Sequence, residues 1–188
     1  MRYACVGLLA LVVASRPPAG IDVHGTAIAG STPIADAVVW IDAPGAHSAG
    51  IRRAMLDQRN LNFYPRVLVV QVGPTVAFPN HDRVFHNVFS FRDGKRFDLG
   101  LYPVGAVKDI PFDRPGLSRV FCNIHPGMAA YLMVVDSPYF ALSDADGRFT
   151  VSNVPAGTFP YHAWRPGGAI ITGSATVIAG NALDVRWP

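Results

Sequence analysis

The chain has 188 residues and a formal net charge of +3. Half of it is apolar and only 15% is charged, which supplies a core and excludes a disordered chain. Its 18 glycines and 16 prolines are scattered throughout, which excludes a helical bundle and suits many short strands joined by tight turns.

Residues 1–20 read as an export signal. Arg2 gives a positive start, Tyr3 to Ala14 form an uncharged apolar run, and Val12-Val13-Ala14 is a small-residue exit before Arg16-Pro17-Pro18. The run is shorter than the ~20 residues a membrane span needs. The expected product is periplasmic or secreted, with no membrane span once the signal is removed. Loss of Arg2 takes the net charge from +3 to +2, and loss of Arg16 as well leaves +1. A near-neutral protein without a basic stripe among aromatics is not a nucleic-acid binder. The signal also carries away Cys5, so Cys122 is left alone. A lone thiol in an oxidising compartment survives when buried or bound to metal, which favours a ligand role.

From Ile21 to Asp42 an alternating stretch, a Gly30-Ser31-Thr32-Pro33 turn and the apolar run Ala37 to Ile41 predict two strands. Ala43 to Gly50 is a connector. Further strands are expected at Val67 to Val72, Thr75 to Phe78, Val84 to Phe91, Phe97 to Tyr102, Val107 to Phe112, Ser118 to Cys122 and Tyr131 to Val135. After Pro138 come the polar turn Ser143 to Gly147 and hairpin signals through Trp187. Short strands at this spacing predict an all-β sandwich.

The chemistry concentrates in Phe121-Cys122-Asn123-Ile124-His125-Pro126-Gly127-Met128, where Cys122, His125 and Met128 follow a Cys-x2-His-x2-Met spacing. His86 lies upstream in Phe85-His86-Asn87-Val88. Two imidazoles, a thiolate and a weak thioether are the donors of a blue-copper site. Taken singly, Met128 reads as core filling, Cys122 as a buried small hydrophobe and each histidine as a core residue; the four together read as ligands. His24 and His47 lack ligand-spaced partners and read as surface or hydrogen-bonded residues; His81, in a turn five residues before His86, is not expected to touch metal, and His162 reads as structural. Met133 reads as core, and Asp144 and Asp146 as a turn, since the loop lacks the other ligands calcium needs.

Residues 58–136 resemble plastocyanin and, more closely, amicyanin. The resemblance is carried by Phe63-Tyr64-Pro65, Gly73-Pro74-Thr75-Val76-Ala77-Phe78-Pro79-Asn80, His86-Asn87-Val88, Pro115-Gly116 and the Cys122 to Met128 loop, whose short gap before the methionine is of amicyanin type. The flanks resemble the carboxypeptidase regulatory-like domain, a small transthyretin-like sandwich. The residues concerned are Gly25-Thr26-Ala27, Pro33 to Val39, Asp144 to Phe149 and Val154-Pro155-Ala156-Gly157.

Together these resemblances imply an all-β chain in which a Greek-key cupredoxin sandwich, residues 53–136, is inserted in or packed against a second sandwich built from residues 21–52 and 137–188. They imply one type 1 copper with His86, Cys122 and His125 in its plane and Met128 on its axis. Asn87 would tie the two ligand loops by hydrogen bonds, and His125 would lie near the surface, ringed by Pro126, Gly127 and Pro79. The implied function is single-electron transfer to a redox protein partner, a c-type cytochrome or periplasmic dehydrogenase. No enzyme is expected: the His-x-His pairs of multicopper oxidases and the second cupredoxin domain of copper nitrite reductases are both missing. Two other readings stay open: a copper carrier or sensor without electron transfer, and a structural or adhesion module.

Overall fold

The computed structural model describes residues 19–45, 53–91 and 94–188, and among these there are strands, turns and bends but no helix. The export signal (residues 1–18 in particular), His47 and most of the connector after Pro44 lie outside the described residues. No helix among those described is long and apolar enough to cross a membrane.

The strands are β1 (Ile21–Ala29), β2 (Thr32–Pro33), β3 (Val38–Ile41), β4 (Arg53–Met55), β5 (Asp57–Arg59) and β6 (Asn62–Tyr64). They continue with β7 (Val67–Gln71), β8 (Thr75–Pro79), β9 (His86–Ser90), β10 (Phe97–Tyr102), β11 (Val107–Pro111) and β12 (Gly116–Phe121). The last six are β13 (Ala129–Val135), β14 (Phe140–Leu142), β15 (Arg148–Val154), β16 (Gly157–Trp164), β17 (Ile171–Val177) and β18 (Ala182–Trp187). The strand expected from Val84 starts only at His86, because Val84 and Phe85 are exposed in the bend before it. The hairpin β5–β6 was not anticipated.

Chain order and spatial order part company. β1 pairs antiparallel with β15 and parallel with β18, while β3 lies between β14 and β16, with β17 beyond. The first and last segments of the chain therefore build two facing sheets. Between them Val23, Val39, Ile41, Phe149, Val151, Val185 and Trp187 form one buried core. Residues of β4 to β13 pair among themselves, as the sheets β10-β9-β12-β13-β7 and β11-β8-β4 and the small β5–β6 ladder. Their core contains Leu56, Phe78, Val88, Tyr102, Phe112, Val120 and Leu132, and also Cys122 and Met128.

A third core joins the two groups. Strand side chains alternate between faces, and β13 sends Ala130, Leu132 and Val134 into the middle core but Met133 and Val135 the other way. There they meet Val67 of β7, Val38 of β3 and Trp164 of β16. β3 divides in the same manner, with Val39 and Ile41 in the outer core and Val38 at the junction. This is why Ala129 to Val135 reads as a continuous apolar run: both of its faces are covered.

At one position the pairing of β1 depends on a missing side chain. Gly25 stands between Phe149 and Leu183 in the ladder, and a Cβ there would press on the Leu183 carbonyl oxygen and the Phe149 ring. Gly25→Ala is expected to destabilise the protein by about 1–3 kcal/mol, the usual range for overpacking. A chemical denaturation midpoint measured against the unsubstituted protein checks it.

Candidate metal centre

The loop from Cys122 to Met128 closes the β12–β13 hairpin. Phe121 and Ala129 are its last paired residues, and Cys122 N–H donates to the Met128 carbonyl at 3.2 Å, extending the ladder one step. Met128 N–H in turn donates to the His125 carbonyl at 3.2 Å. Gly127 makes the reversal at φ +88°, where a side chain would be strained. Cys122 and Met128 face inward and are buried, His125 is half-buried, and Pro126 and Gly127 are exposed at the rim. Pro79, expected at the rim, is instead buried at the end of β8.

His86 arrives from the neighbouring strand. β9 pairs antiparallel with β12 through Phe89 and Phe121, which carries the start of β9 past the end of β12 to the Cys122 loop. The His86 side chain has no exposure. Its Nδ1 lies 3.8 Å from Cys122 Sγ and 3.0 Å from His125 Nδ1, and the third side, Cys122 Sγ to His125 Nδ1, is 3.6 Å. A point equidistant from the three corners of that triangle lies about 2.0 Å from each, close to metal–imidazole and metal–thiolate bond lengths of roughly 2.0–2.3 Å. The three residues are also the one group of histidines, cysteines and acids among the described residues that converges closely enough to hold an ion. A soft thiolate with two imidazoles fits copper, and the donor set is preformed.

The far nitrogen of His86 is held too. Nε2 lies 3.0 Å from Asp82 Oδ2. A carboxylate only accepts, so in the neutral ring Nε2 carries the proton and Nδ1 presents its lone pair to the triangle. Asp82 Oδ2 also accepts the Leu61 N–H at 2.7 Å, and Oδ1 accepts the Arg83 N–H at 2.8 Å. Burial by itself would raise the pKa of this carboxyl; the two N–H groups and the His86 ring outweigh it and hold it down at about 2. Asp82 had not been singled out from the sequence.

The rest of the loop before His86 is organised by Asn80. This buried amide donates to the Val84 carbonyl at 2.9 Å and accepts Asp82 N–H at 3.1 Å, an Asx turn that sets the bend before His86. Beneath it Gln58 donates to the Pro79 carbonyl at 2.9 Å and to the Tyr102 hydroxyl, which donates to the Phe78 carbonyl at 3.1 Å. Burial pushes the Tyr102 phenol well above its ordinary range.

Asn87 sits elsewhere than expected. Its amide donates to Asp98 Oδ1 at 2.8 Å, tying β9 to β10, while its own Oδ1 is buried without a hydrogen-bond partner. It makes no side-chain bond to the Cys122 loop, because in β9 successive residues face opposite ways: when His86 points at the triangle, Asn87 points away. The remaining histidines stay out of the cluster. His81 Nδ1 meets Asp57 Oδ1 at 2.9 Å, His24 meets Thr150 at 3.0 Å, and His162 meets Asp42 at 2.8 Å while stacking on Trp40. Met133 belongs to the junction core, and Asp144 accepts the N–H groups of Asp146 and Arg148 as a turn.

No family model matches the chain, and no curated protein matches it. Among solved structures it is similar to a purple cupredoxin from Nitrosopumilus maritimus, with 25% identity over 44% of this chain and 98% of that one, at a TM-score of 0.39. A copper-containing nitrite reductase from Thermus scotoductus matches at 23% identity over 58% of this chain, which spans only 28% of the reductase, at a TM-score of 0.43. An amicyanin variant in its reduced state matches at 20% identity over 53% of this chain and 99% of that one, at a TM-score of 0.40. The chain is all-β among its described residues, and these neighbours are named as copper proteins or amicyanin.

Proposed function

We propose that the protein is an exported mononuclear type 1 copper protein that carries single electrons, in which His86, Cys122, His125 and Met128 would hold the ion. The observation that supports this reading is the convergence of Cys122 Sγ and two imidazole Nδ1 atoms within 3.8 Å of one another in a buried hairpin corner. Bound there, copper would supply a one-electron Cu(I)/Cu(II) couple. The chain's own part is to hold the donors still. Cys122 and Met128 are locked by the β12–β13 ladder, His86 by Asp82, and water is kept out by the surrounding core. A site that does not rearrange between oxidation states suits fast electron transfer. His125, half-buried beside exposed Pro126 and Gly127, is the exit toward a partner.

In this reading residues 53–136 form a cupredoxin inserted between two parts of a carboxypeptidase regulatory-like sandwich, residues 21–52 and 137–188. Residues 1–20 direct export to the periplasm or beyond, and the partner is a redox protein such as a c-type cytochrome or a periplasmic dehydrogenase. The chain acts as a carrier, not as a catalyst.

The test is to load the mature protein with Cu(II) and record optical and EPR spectra and a voltammogram. An intense blue thiolate-to-copper band, narrow copper hyperfine splitting and reversible cycling without copper loss are expected. A pale, ordinary copper spectrum would overturn the reading. A blue protein that releases copper on reduction would be a copper carrier.

A further inference from the structure

The hairpin β5–β6 is bolted onto the loop that leads to His86. Asp57 Oδ1 meets His81 Nδ1 at 2.9 Å, His81 N–H donates to the Gln58 carbonyl at 3.0 Å, and Gln58 bridges to Asn80. The hairpin turns at Asn60 and Leu61 with φ of 51° and 57°, the conformation of a two-residue turn that favours Asn then Gly. Asparagine is at home there, whereas leucine is strained. The Leu61 side chain is half exposed. What this conformation does achieve is to aim the Leu61 N–H at Asp82 Oδ2, the oxygen that also faces His86 Nε2.

We propose that Asp82, fixed by the strained hairpin tip at Leu61, is the positioning residue that presets the tautomer and orientation of His86 for metal. The proposal deepens the metal reading of the site and rests on it. Asp82 touches no donor atom of the triangle; it acts through the far nitrogen of a ligand. It is held at three points, by two N–H groups and the ring, so it has one place to be. A ring with a fixed Nε2–H has only Nδ1 to offer, and the ion meets a lone pair already in place. Partners of this kind typically carry 10- to 100-fold in metal affinity.

The experiment uses the mature full chain labelled with 15N at histidine, first without metal and then titrated with Cu(II) alone. The unsubstituted apoprotein is expected to show His86 as a single Nε2–H tautomer. Asp82→Ala is expected to show mixed tautomers and roughly 10- to 100-fold weaker Cu(II) binding. Asp82→Asn keeps an acceptor for Nε2–H and is expected to restore most of the affinity, with a raised reduction potential because one negative charge beside the site is gone. An Asp82→Ala protein that keeps a single Nε2–H tautomer and full affinity would overturn the proposal. If that variant does not fold, mixed His86 tautomers or an Nδ1–H tautomer in the unsubstituted apoprotein overturn it instead. Failure of the unsubstituted protein to give a blue site would sink the metal reading separately, since the apoprotein tautomer is read without metal.

Discussion

Cys122→Ala is expected to abolish the blue band and to weaken copper binding by about 10²- to 10³-fold while leaving the protein folded. The magnitude follows from dividing the roughly 10–16 kcal/mol of a structural four-ligand zinc site evenly among its donors. The thiolate is the donor whose charge transfer gives the colour, so no rearrangement of His86, His125 and Met128 can replace it. The fold should tolerate the change because the loop is held by backbone bonds, from Cys122 N–H to the Met128 carbonyl and from Met128 N–H to the His125 carbonyl. Alanine retains both. Replacing a small buried side chain by one lacking only the sulfur leaves a minor cavity, on the order of 1 kcal/mol. Optical titration with Cu(II) and a denaturation midpoint on the same samples separate the two effects. Retention of an intense blue band by Cys122→Ala would show that some other group makes the bond.

The Cys122 to Met128 loop was legible as one cluster because its residues are local. Cys122, His125 and Met128 lie within one hairpin turn, and a Cys-x2-His-x2-Met spacing in a loop between two apolar strands can only bring them to the same corner. His86 was legible from its place before an apolar strand. Asp82 was not, since its role depends on the N–H of Leu61, 21 residues earlier, delivered by a positive φ that leucine does not advertise. Asn87 was misplaced for a simpler reason: strand alternation turns it toward Asp98 when His86 faces inward. The strands themselves were readable where one face is wet, as in β15 and β18, with their alternating burial. Partnerships were less so, because β1 pairs with strands more than a hundred residues away and periodicity carries no information about partners. Nor does an apolar run such as Ala129 to Val135 say which two surfaces cover it.

Trp164→Ala is expected to cost about 3–5 kcal/mol, the range for deleting a large buried aromatic side chain, and to do so without altering the copper spectrum. Trp164 is 3% exposed and meets the Tyr131 ring at a centroid distance of 5.0 Å and an interplanar angle of 62°, an edge-to-face contact between β16 and β13. Around it Val38 comes from one group of sheets and Val67, Met133 and Val135 from the other. Neither of the two larger cores contains this tryptophan. Its loss therefore leaves each group of sheets with its own interior and removes the main filling between them. Cys122 and Met128 belong to the middle core, on the far side of β13 from Trp164, so the donor triangle should persist. Denaturant unfolding followed by the blue band and by far-UV circular dichroism tests this. In the unsubstituted protein the two signals should fall together, because the junction couples the halves. In Trp164→Ala they should separate, the blue band outlasting part of the circular dichroism signal or preceding it. A loss below about 1 kcal/mol with coincident transitions would mean that the strands of β13 and β16 hold the halves together without their side chains, an outcome hard to reconcile with a tryptophan so deeply buried.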